Sequence, residues 1–165
     1  MGLFLSLYCT IGHMVQTYEP DPKAVTYGEH TADIWMSASG ATPEEVLNRM
    51  VEGLYATISE SYILEEEIDG IDLMLSASSN EELMVKLLSE ILFMLDSGSE
   101  VVRALIVKTE LSSEDVGSSM TLRARRFRAS ILPDRRGMEV KAVTRHNVSF
   151  EPVESGWEAR VLLDI

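Results

Sequence analysis

The chain of 165 residues has little cysteine and little positive charge: one cysteine, Cys9, and 14 lysines and arginines against 27 aspartates and glutamates. A single cysteine excludes an internal disulfide framework and a cysteine-based metal cage. It also fits a reducing compartment, so we expect a cytoplasmic protein without a disulfide partner. The apolar stretch 2–11 is too short to cross a bilayer, which takes about 20 residues, and it lacks the features of a signal peptide. We therefore expect no membrane association.

The formal net charge of −13 disfavours broad, unaided binding to nucleic acid, because affinity for a polyanion comes mostly from Lys and Arg. Segment 121–146 is the exception, since it holds eight of the 14 basic residues and only two of the 27 acidic ones. Arginine-rich strand faces commonly serve solubility, whereas a direct RNA contact would have to use this segment. Its arginines are Arg123, Arg125, Arg126, Arg128, Arg135, Arg136 and Arg145.

Several enzyme classes lack their sequence signatures. The chain has neither a glycine-rich phosphate loop nor a G-x-S-x-G nucleophile elbow. Its three histidines, His13, His30 and His146, do not show the paired spacing of zinc ligands. A metal-dependent hydrolase would need a general base and a substrate cleft, and the sequence indicates neither. We predict that the chain is not an enzyme.

Two helices are predicted from their start signals and apolar spacing. Thr42 can cap the first helix, Pro43 suits its first position, and Glu45 can reach back in a capping box. The second helix, over 79–98, starts with the same device at Ser79. Its apolar stripe is so wide that we expect it to be buried on most sides.

The remaining periodic segments predict strands. Segment 120–129 changes the phase of its alternation at Arg125-Arg126, as at a β-bulge. The element order is β(β)-α-β-α-β(4), which predicts an α+β fold with one mixed, mostly antiparallel sheet and two helices on one face. We expect one domain over 19–165, preceded by an optional N-terminal extension, 1–18, that a misassigned start would also explain. The predicted strands are 32–38, 68–77, 101–111, 120–129, 138–150 and 157–165.

Two carboxylates occur where the sequence is otherwise apolar. Asp33 follows a run of polar residues at the entry to an apolar strand, and Asp164 lies in the apolar terminal string Val161-Leu-Leu-Asp-Ile165. Burying an unpaired carboxylate costs several kcal/mol. Such a residue therefore lies at a sheet end, is paired, or is exposed as a near-terminal residue, and the pattern alone leaves these choices open.

Taken together, the strings around these residues resemble the archease family, small protein cofactors of RtcB-type RNA ligases. The resemblance spans about 17–165 in the family's order, with Gly40 leading into the Thr42-Pro-Glu-Glu helix. It departs from the family at Arg145-His146, where relatives often carry Tyr, and this leaves the local surface chemistry open. The matching strings are Glu29-His-Thr-Ala-Asp33, Glu139-Val-Lys-Ala-Val-Thr144 and Trp157…Val161-Leu-Leu-Asp-Ile165.

The resemblance implies a metal site, typically for calcium, made of Asp33, Asp164 and the terminal carboxylate of Ile165. Several oxygen ligands with waters completing the shell suit this hard cation. His30 would orient Asp33 or form an ordinary hydrogen bond at a strand end. Lys141 would belong to the partner surface or be a solvated strand lysine.

By the same resemblance, the chain would be a non-catalytic activator of an RtcB-type RNA ligase in tRNA splicing and RNA repair. It would promote guanylylation and multiple turnover of the ligase, and it would contact RNA through the ligase. Two alternatives remain. A general chaperone or modulator of nucleic-acid-processing enzymes would show a broad exposed apolar surface, and an RNA-binding module using the 121–146 arginines would bind tRNA with strong salt dependence.

Overall fold

The computed structural model describes residues 16–30, 32–111 and 117–165. Two α-helices and eight β-strands make up this part of the chain, with a short 3-10 turn at Pro133–Arg135. The elements are β1 (Gln16–Tyr18), β2 (Thr26–His30), β3 (Asp33–Gly40), α1 (Pro43–Ile58), β4 (Tyr62–Ala77), α2 (Asn80–Gly98), β5 (Glu100–Glu110), β6 (Ser118–Ser130), β7 (Ala142–Val153) and β8 (Gly156–Asp164).

Both helices begin as the sequence predicts. The Thr42 hydroxyl accepts the backbone N–H of Glu45 at 3.2 Å, and Ser79 caps α2 in the same way through Glu82 at 3.2 Å. Hydrogen bonds from the Ser78 hydroxyl and backbone N–H lower the pKa of Glu82 to about 2. No helix in the described part of the chain is long and apolar enough to cross a membrane.

The strands form two antiparallel four-stranded sheets, in the orders β1-β4-β6-β5 and β2-β3-β8-β7. Each helix contacts strands of both sheets, so the core lies where helices and sheets meet. The α+β class and the two helices are confirmed, but the strands divide between two sheets and do not form the single sheet that we expected. Alternation shows which residues of a strand face inward, and it does not show which strands pair. The second sheet covers the wide apolar surface of α2, which one sheet would leave partly exposed.

The change of phase in β6 is confirmed. Inward residues lie at even positions up to Ala124 and at odd positions from Phe127. The pairing with both neighbours shifts at this point, between Ile68 and Ile71 in β4 and between Arg103 and Ile106 in β5. The extra residues of this irregularity therefore lie in β4 and β5. The sequence had predicted a bulge in β6 itself.

A strand that the sequence did not predict lies just before residue 19, the expected start of the domain. Gln16–Tyr18 is a strand paired with β4, and Tyr18 is buried in the core. Its hydroxyl donates to Glu52 at 2.8 Å, and the Arg103 guanidinium lies 3.5 Å above its ring. A strand of three residues is too short for alternation to reveal it. Residues 1–15, with Cys9 and the rest of the expected extension, lie outside the described residues.

A tight hairpin between β7 and β8 sets the position of β8 along β3. Gly156 has φ +141°, and a Cβ at this position would lie 2.2 Å from the carbonyl oxygen of Gly40. Gly40 is also the residue that pairs with Trp157 at this end of the β3–β8 ladder. The glycine thus permits a close backbone approach that fixes the register of the whole ladder.

Gly156→Ala should lower the free energy of unfolding by about 2 kcal/mol, since the new Cβ meets backbone atoms and the residue keeps a positive φ. Urea denaturation followed by circular dichroism measures this change. Gly28→Ala is the matched control, because its Cβ would meet only the Trp35 Cβ at 3.8 Å, an ordinary contact. Equal stabilities of the two variants would contradict the role assigned to Gly156.

Candidate functional site

The register of β3 and β8 brings two of the predicted site residues together. Asp33 lies directly opposite Asp164 as the last pair of the ladder, and both side chains are half-buried. Directly opposite residues of an antiparallel pair point to the same face, with their Cβ atoms about 5 Å apart. The two carboxylates therefore share one end of the sheet β2-β3-β8-β7.

The chain end and Lys141 lie at the same place. The backbone N–H of Lys141 donates to the carbonyl oxygen of Asp164 at 2.8 Å. Its Nζ atom donates to the main-chain oxygen of Ile165 at 3.0 Å. Ala142, the first residue of β7, pairs directly with Asp164. Three strands thus hold the two carboxylates and the chain end, and the exposed Lys141 contributes a positive charge beside them.

The donor set at this end fits a hard divalent cation. Within the described part of the chain, the carboxylates of Asp33 and Asp164 form no hydrogen bond or ion pair. Two neighbouring carboxylates repel one another unless a cation or a proton lies between them. The described residues contain no group of three or more His, Cys, Asp or Glu side chains that could hold a metal. The available ligands are therefore two carboxylates and the chain-end oxygens, which leaves positions for water on calcium.

His30, the last residue of β2, pairs with Asp33 across β2 and β3. Its side chain lies outside the described parts of the structure. Whether His30 orients Asp33 therefore stays a prediction, as does the calcium ligand set itself.

The structure adds two residues that the sequence did not single out. Arg160 pairs with Ser37 on the face that carries Asp33 and Asp164, and its guanidinium lies 4.2 Å from the centroid of the Trp35 ring. Alternation places Trp35 on the face of Asp33 and Arg160 on the face of Asp164. Only the cross-strand register, which alternation leaves undetermined, brings the two side chains into contact.

The arginine-rich segment is neutralised by acidic residues of the neighbouring elements. Its ion pairs are exposed or partly exposed, so they contribute little to stability. They change the electrostatics of the surface, because six of the seven guanidinium groups of the segment already face a carboxylate. The Arg125 bond lowers the pKa of Glu67, and the Asp72 bond raises the pKa of Arg123. The pairs are Arg123–Asp72 (2.7 Å), Arg125–Glu67 (2.5 Å), Arg126–Glu100 (3.2 Å), Arg128–Glu66 (3.5 Å), Arg135–Glu60 (3.3 Å) and Arg145–Glu82 (3.6 Å).

Comparison with known proteins identifies the family. The model of the Archease protein family (MTH1598/TM1083) matches residues 19–165. The chain belongs to the archease family. The resemblance carried by the three sequence strings is thereby confirmed.

Curated archeases resemble the chain over most of their length. Protein archease of Methanosarcina mazei is 30% identical over 145 residues, which cover 87% of this chain and 97% of the relative. Protein archease of Pyrococcus furiosus is 29% identical over 140 residues, which cover 83% and 95%. The family relationship therefore spans most of the chain.

Solved structures show the same fold. The solution structure of protein 1598 of Methanobacterium thermoautotrophicum has a TM-score of 0.63 and 25% identity, and the match covers 87% of this chain and 99% of that one. The crystal structure of a Thermotoga maritima archease, described as a possible chaperone, has a TM-score of 0.52 and 20% identity. That match covers 83% of this chain and 94% of the Thermotoga protein.

Freeing the paired arginines should raise the affinity of the protein for RNA. In the triple variant Glu66→Gln, Glu67→Gln, Asp72→Asn, three guanidinium groups lose their carboxylates. We expect tRNA affinity to rise about tenfold at low salt, with a salt dependence steeper by about two counterions. Filter binding over a salt series measures both quantities.

The control is Glu19→Gln, Glu90→Gln, Glu154→Gln, which changes the net charge equally at exposed acids outside these pairs. An equal rise in tRNA affinity in the two triple variants would contradict the conclusion that the ion pairs neutralise this surface. Tight tRNA binding with a strong salt dependence by the wild-type protein would contradict it as well.

Proposed function

We propose that the protein is a non-catalytic cofactor that activates an RtcB-type RNA ligase in tRNA splicing and RNA repair. It promotes guanylylation of the ligase and sustains its multiple turnover. One observation carries the proposal: Asp33 and Asp164, which the archease resemblance implies as site residues, lie directly opposite one another beside the chain end. Membership of the archease family supports the same assignment.

The metal part of the proposal assigns calcium, or another divalent cation, to Asp33, Asp164 and the terminal carboxylate of Ile165. The absence of a protein partner for either aspartate in the described residues supports this assignment. A bound cation removes the repulsion between the carboxylates and ties the end of β8 to β3. His30 would then orient Asp33, and Lys141 would hold the chain end through its bond to Ile165.

The proposed activation works through a conformational equilibrium of the ligase. The end of the sheet that carries Asp33, Asp164 and the chain end docks near the nucleotide pocket of the ligase. A binding partner shifts an equilibrium only if it binds the two states with different affinity, so the protein must prefer the ligase conformation that is competent for guanylylation. The ligase contacts the RNA, and this protein contacts the ligase. The ion pairs of the β6 arginines support this assignment, because paired guanidinium groups attract RNA less. We expect both proteins in the cytoplasm.

A general chaperone is the second candidate, and the description of the Thermotoga maritima archease as a possible chaperone favours it. The most exposed large apolar side chains of the described residues are Met74, Phe93 and Ile106, at 81%, 64% and 59% exposure. They lie on β4, α2 and β5, and scattered apolar side chains are ordinary on a protein surface. Equal binding of many unfolded proteins, without preference for the ligase, would favour the chaperone.

The first test follows the covalent guanylate adduct of a cognate ligase with GTP and manganese, with and without this protein. We expect stoichiometric protein to accelerate adduct formation, and Asp33→Ala to lose most of the acceleration because the docking end loses one of its two carboxylates. Radiolabelled GTP and gel electrophoresis give the time course. No acceleration by the wild-type protein would refute the proposed function.

The second test concerns the metal alone. Calorimetric titration with calcium should show binding to the wild-type protein and affinity at least about tenfold lower for Asp33→Asn. Asp69→Asn is the matched control, since Asp69 is an exposed acid of the other sheet. Deletion of Ile165 moves the terminal carboxylate back by one residue and should weaken binding as well. Unchanged calcium affinity in Asp33→Asn would remove the site assignment and leave the activator role to the first test.

A further inference from the structure

Arg160 is unusual among the arginines of this acidic protein. All ten arginines lie in the described residues, and eight of them form an ion pair with a carboxylate there. Arg136 and Arg160 form none with any described residue. The exposed Glu158 is two residues away on the same strand face, yet the Arg160 guanidinium lies over Trp35 at 4.2 Å. A solvated arginine in a chain with a net charge of −13 would be expected to pair with such a carboxylate.

The stacked pair is held in a form ready to bind. The indole holds the guanidinium by a cation–π contact, and the N–H donors of Arg160 form no hydrogen bond to a described residue, so they are available to a partner. Gly28 lies directly opposite Trp35 on β2 and has no side chain to cover the ring. On the other side, Leu162 pairs with Trp35 and is buried. The indole thus has a buried leucine beside it on β8 and no side chain beside it on β2.

Unpartnered hydroxyl groups surround Arg160. Thr26, Ser37 and Ser149 occupy the same row across β2, β3, β8 and β7 as Arg160. None of the three hydroxyls forms a hydrogen bond within the described part of the chain. Trp and Arg are enriched at the centre of protein interfaces, and the hydroxyl groups around them are compatible with the polar rim of such an interface.

This surface is continuous with the Asp33–Asp164 end of the sheet. Arg160 is four residues from Asp164 along β8, which corresponds to about 13 Å, and the Trp35–Leu162 pair lies between them. A partner that covers the two aspartates would meet Trp35 and Arg160 next. An interface of ordinary size, about 800 Å² on each protein, easily includes both.

The charges around Arg160 indicate what kind of partner fits. Directly opposite glutamates, Glu151 and Glu158, lie on one side of the Arg160 row, and Asp33 with Asp164 lies on the other. Lys23 and Arg49 line the same pocket as Arg160, but a polyanion such as RNA would still meet carboxylates on both sides of the Arg160 row. A protein surface with one acidic side chain beside an apolar one avoids this repulsion, since its carboxylate meets Arg160 and its apolar group meets Trp35.

We propose that Trp35 and Arg160 form the docking surface for the ligase protein, with a ligase carboxylate bonded to the Arg160 guanidinium and an apolar ligase side chain against Trp35. This inference rests on the proposed function and extends it from the metal end to the adjoining sheet face. Trp35 and Arg160 would thus set the affinity for the ligase and the orientation in which it binds. Asp33 and Asp164 would act at the nucleotide pocket of the ligase.

The test measures the dissociation constant of the cognate ligase for the full-length protein by surface plasmon resonance. Arg160→Glu should weaken binding by at least about tenfold, and Arg160→Met, which keeps an apolar stem over Trp35, by about threefold to tenfold with a flatter salt dependence. Trp35→Ala should weaken binding at least about tenfold. Arg123→Glu is the matched control for charge, because Arg123 is exposed on the other sheet, and should stay within about twofold.

Calcium titration and thermal unfolding accompany each variant. We expect Arg160→Glu and Arg160→Met to bind calcium and unfold as the wild-type protein does, so that weaker ligase binding reports the docking surface. If the wild-type protein accelerates guanylylation while all variants bind the ligase equally well, this inference alone is wrong. If the wild-type protein neither binds nor activates the ligase, the proposed function fails and this inference with it. If Arg160→Glu reduces tRNA binding and leaves ligase binding unchanged, the surface binds RNA and the inference is overturned.

Discussion

The antiparallel pairing of β3 with β8 is the constraint on which the rest of the candidate site depends. It begins at the close approach of Gly156 to Gly40 and ends at the far end of the ladder with Asp33 opposite Asp164. Because side chains alternate strictly along a strand, a slip by one residue would turn every outward residue of β8 inward. The buried Val161 and Leu163 on the inner face oppose such a slip. Packing of the core therefore holds the carboxylates of Asp33 and Asp164 close together, although their charges repel one another.

The two sheets have different electrostatic arrangements. In β1-β4-β6-β5, all four arginines of β6 form ion pairs with carboxylates of β4 or β5. In β2-β3-β8-β7, Asp33 and Asp164 have no partner in the described residues, and Arg160 stacks on Trp35. The two half-buried aspartates without a described partner therefore lie on one sheet, at the face where the archease resemblance implies a metal and a ligase.

Prediction succeeded where the responsible interactions are local. The Thr42 and Ser79 caps, the span of each helix and the phase change at Arg125-Arg126 all follow from residues a few positions apart. Prediction failed where the structure depends on contacts between segments that lie far apart in the sequence. The three residues of β1 gave no periodic signal, although Tyr18 packs against Tyr55 and Tyr62 in the core. The arginines of 121–146 looked like a basic surface, because the carboxylates that pair with them lie 26 to 75 residues away in the sequence.

By itself the sequence determined the α+β class, the two capped helices, the family strings and the identity of Asp33 and Asp164 as carboxylates in apolar surroundings. These depend on local hydrogen bonding, on periodicity and on residue type, all of which a single chain displays directly. Only the tertiary structure decided that the strands divide into two sheets, that Asp33 lies opposite Asp164 and that Arg160 lies on Trp35. The physical reason is that strand pairing and register are set by burial of the whole core, to which residues far apart in the sequence contribute together.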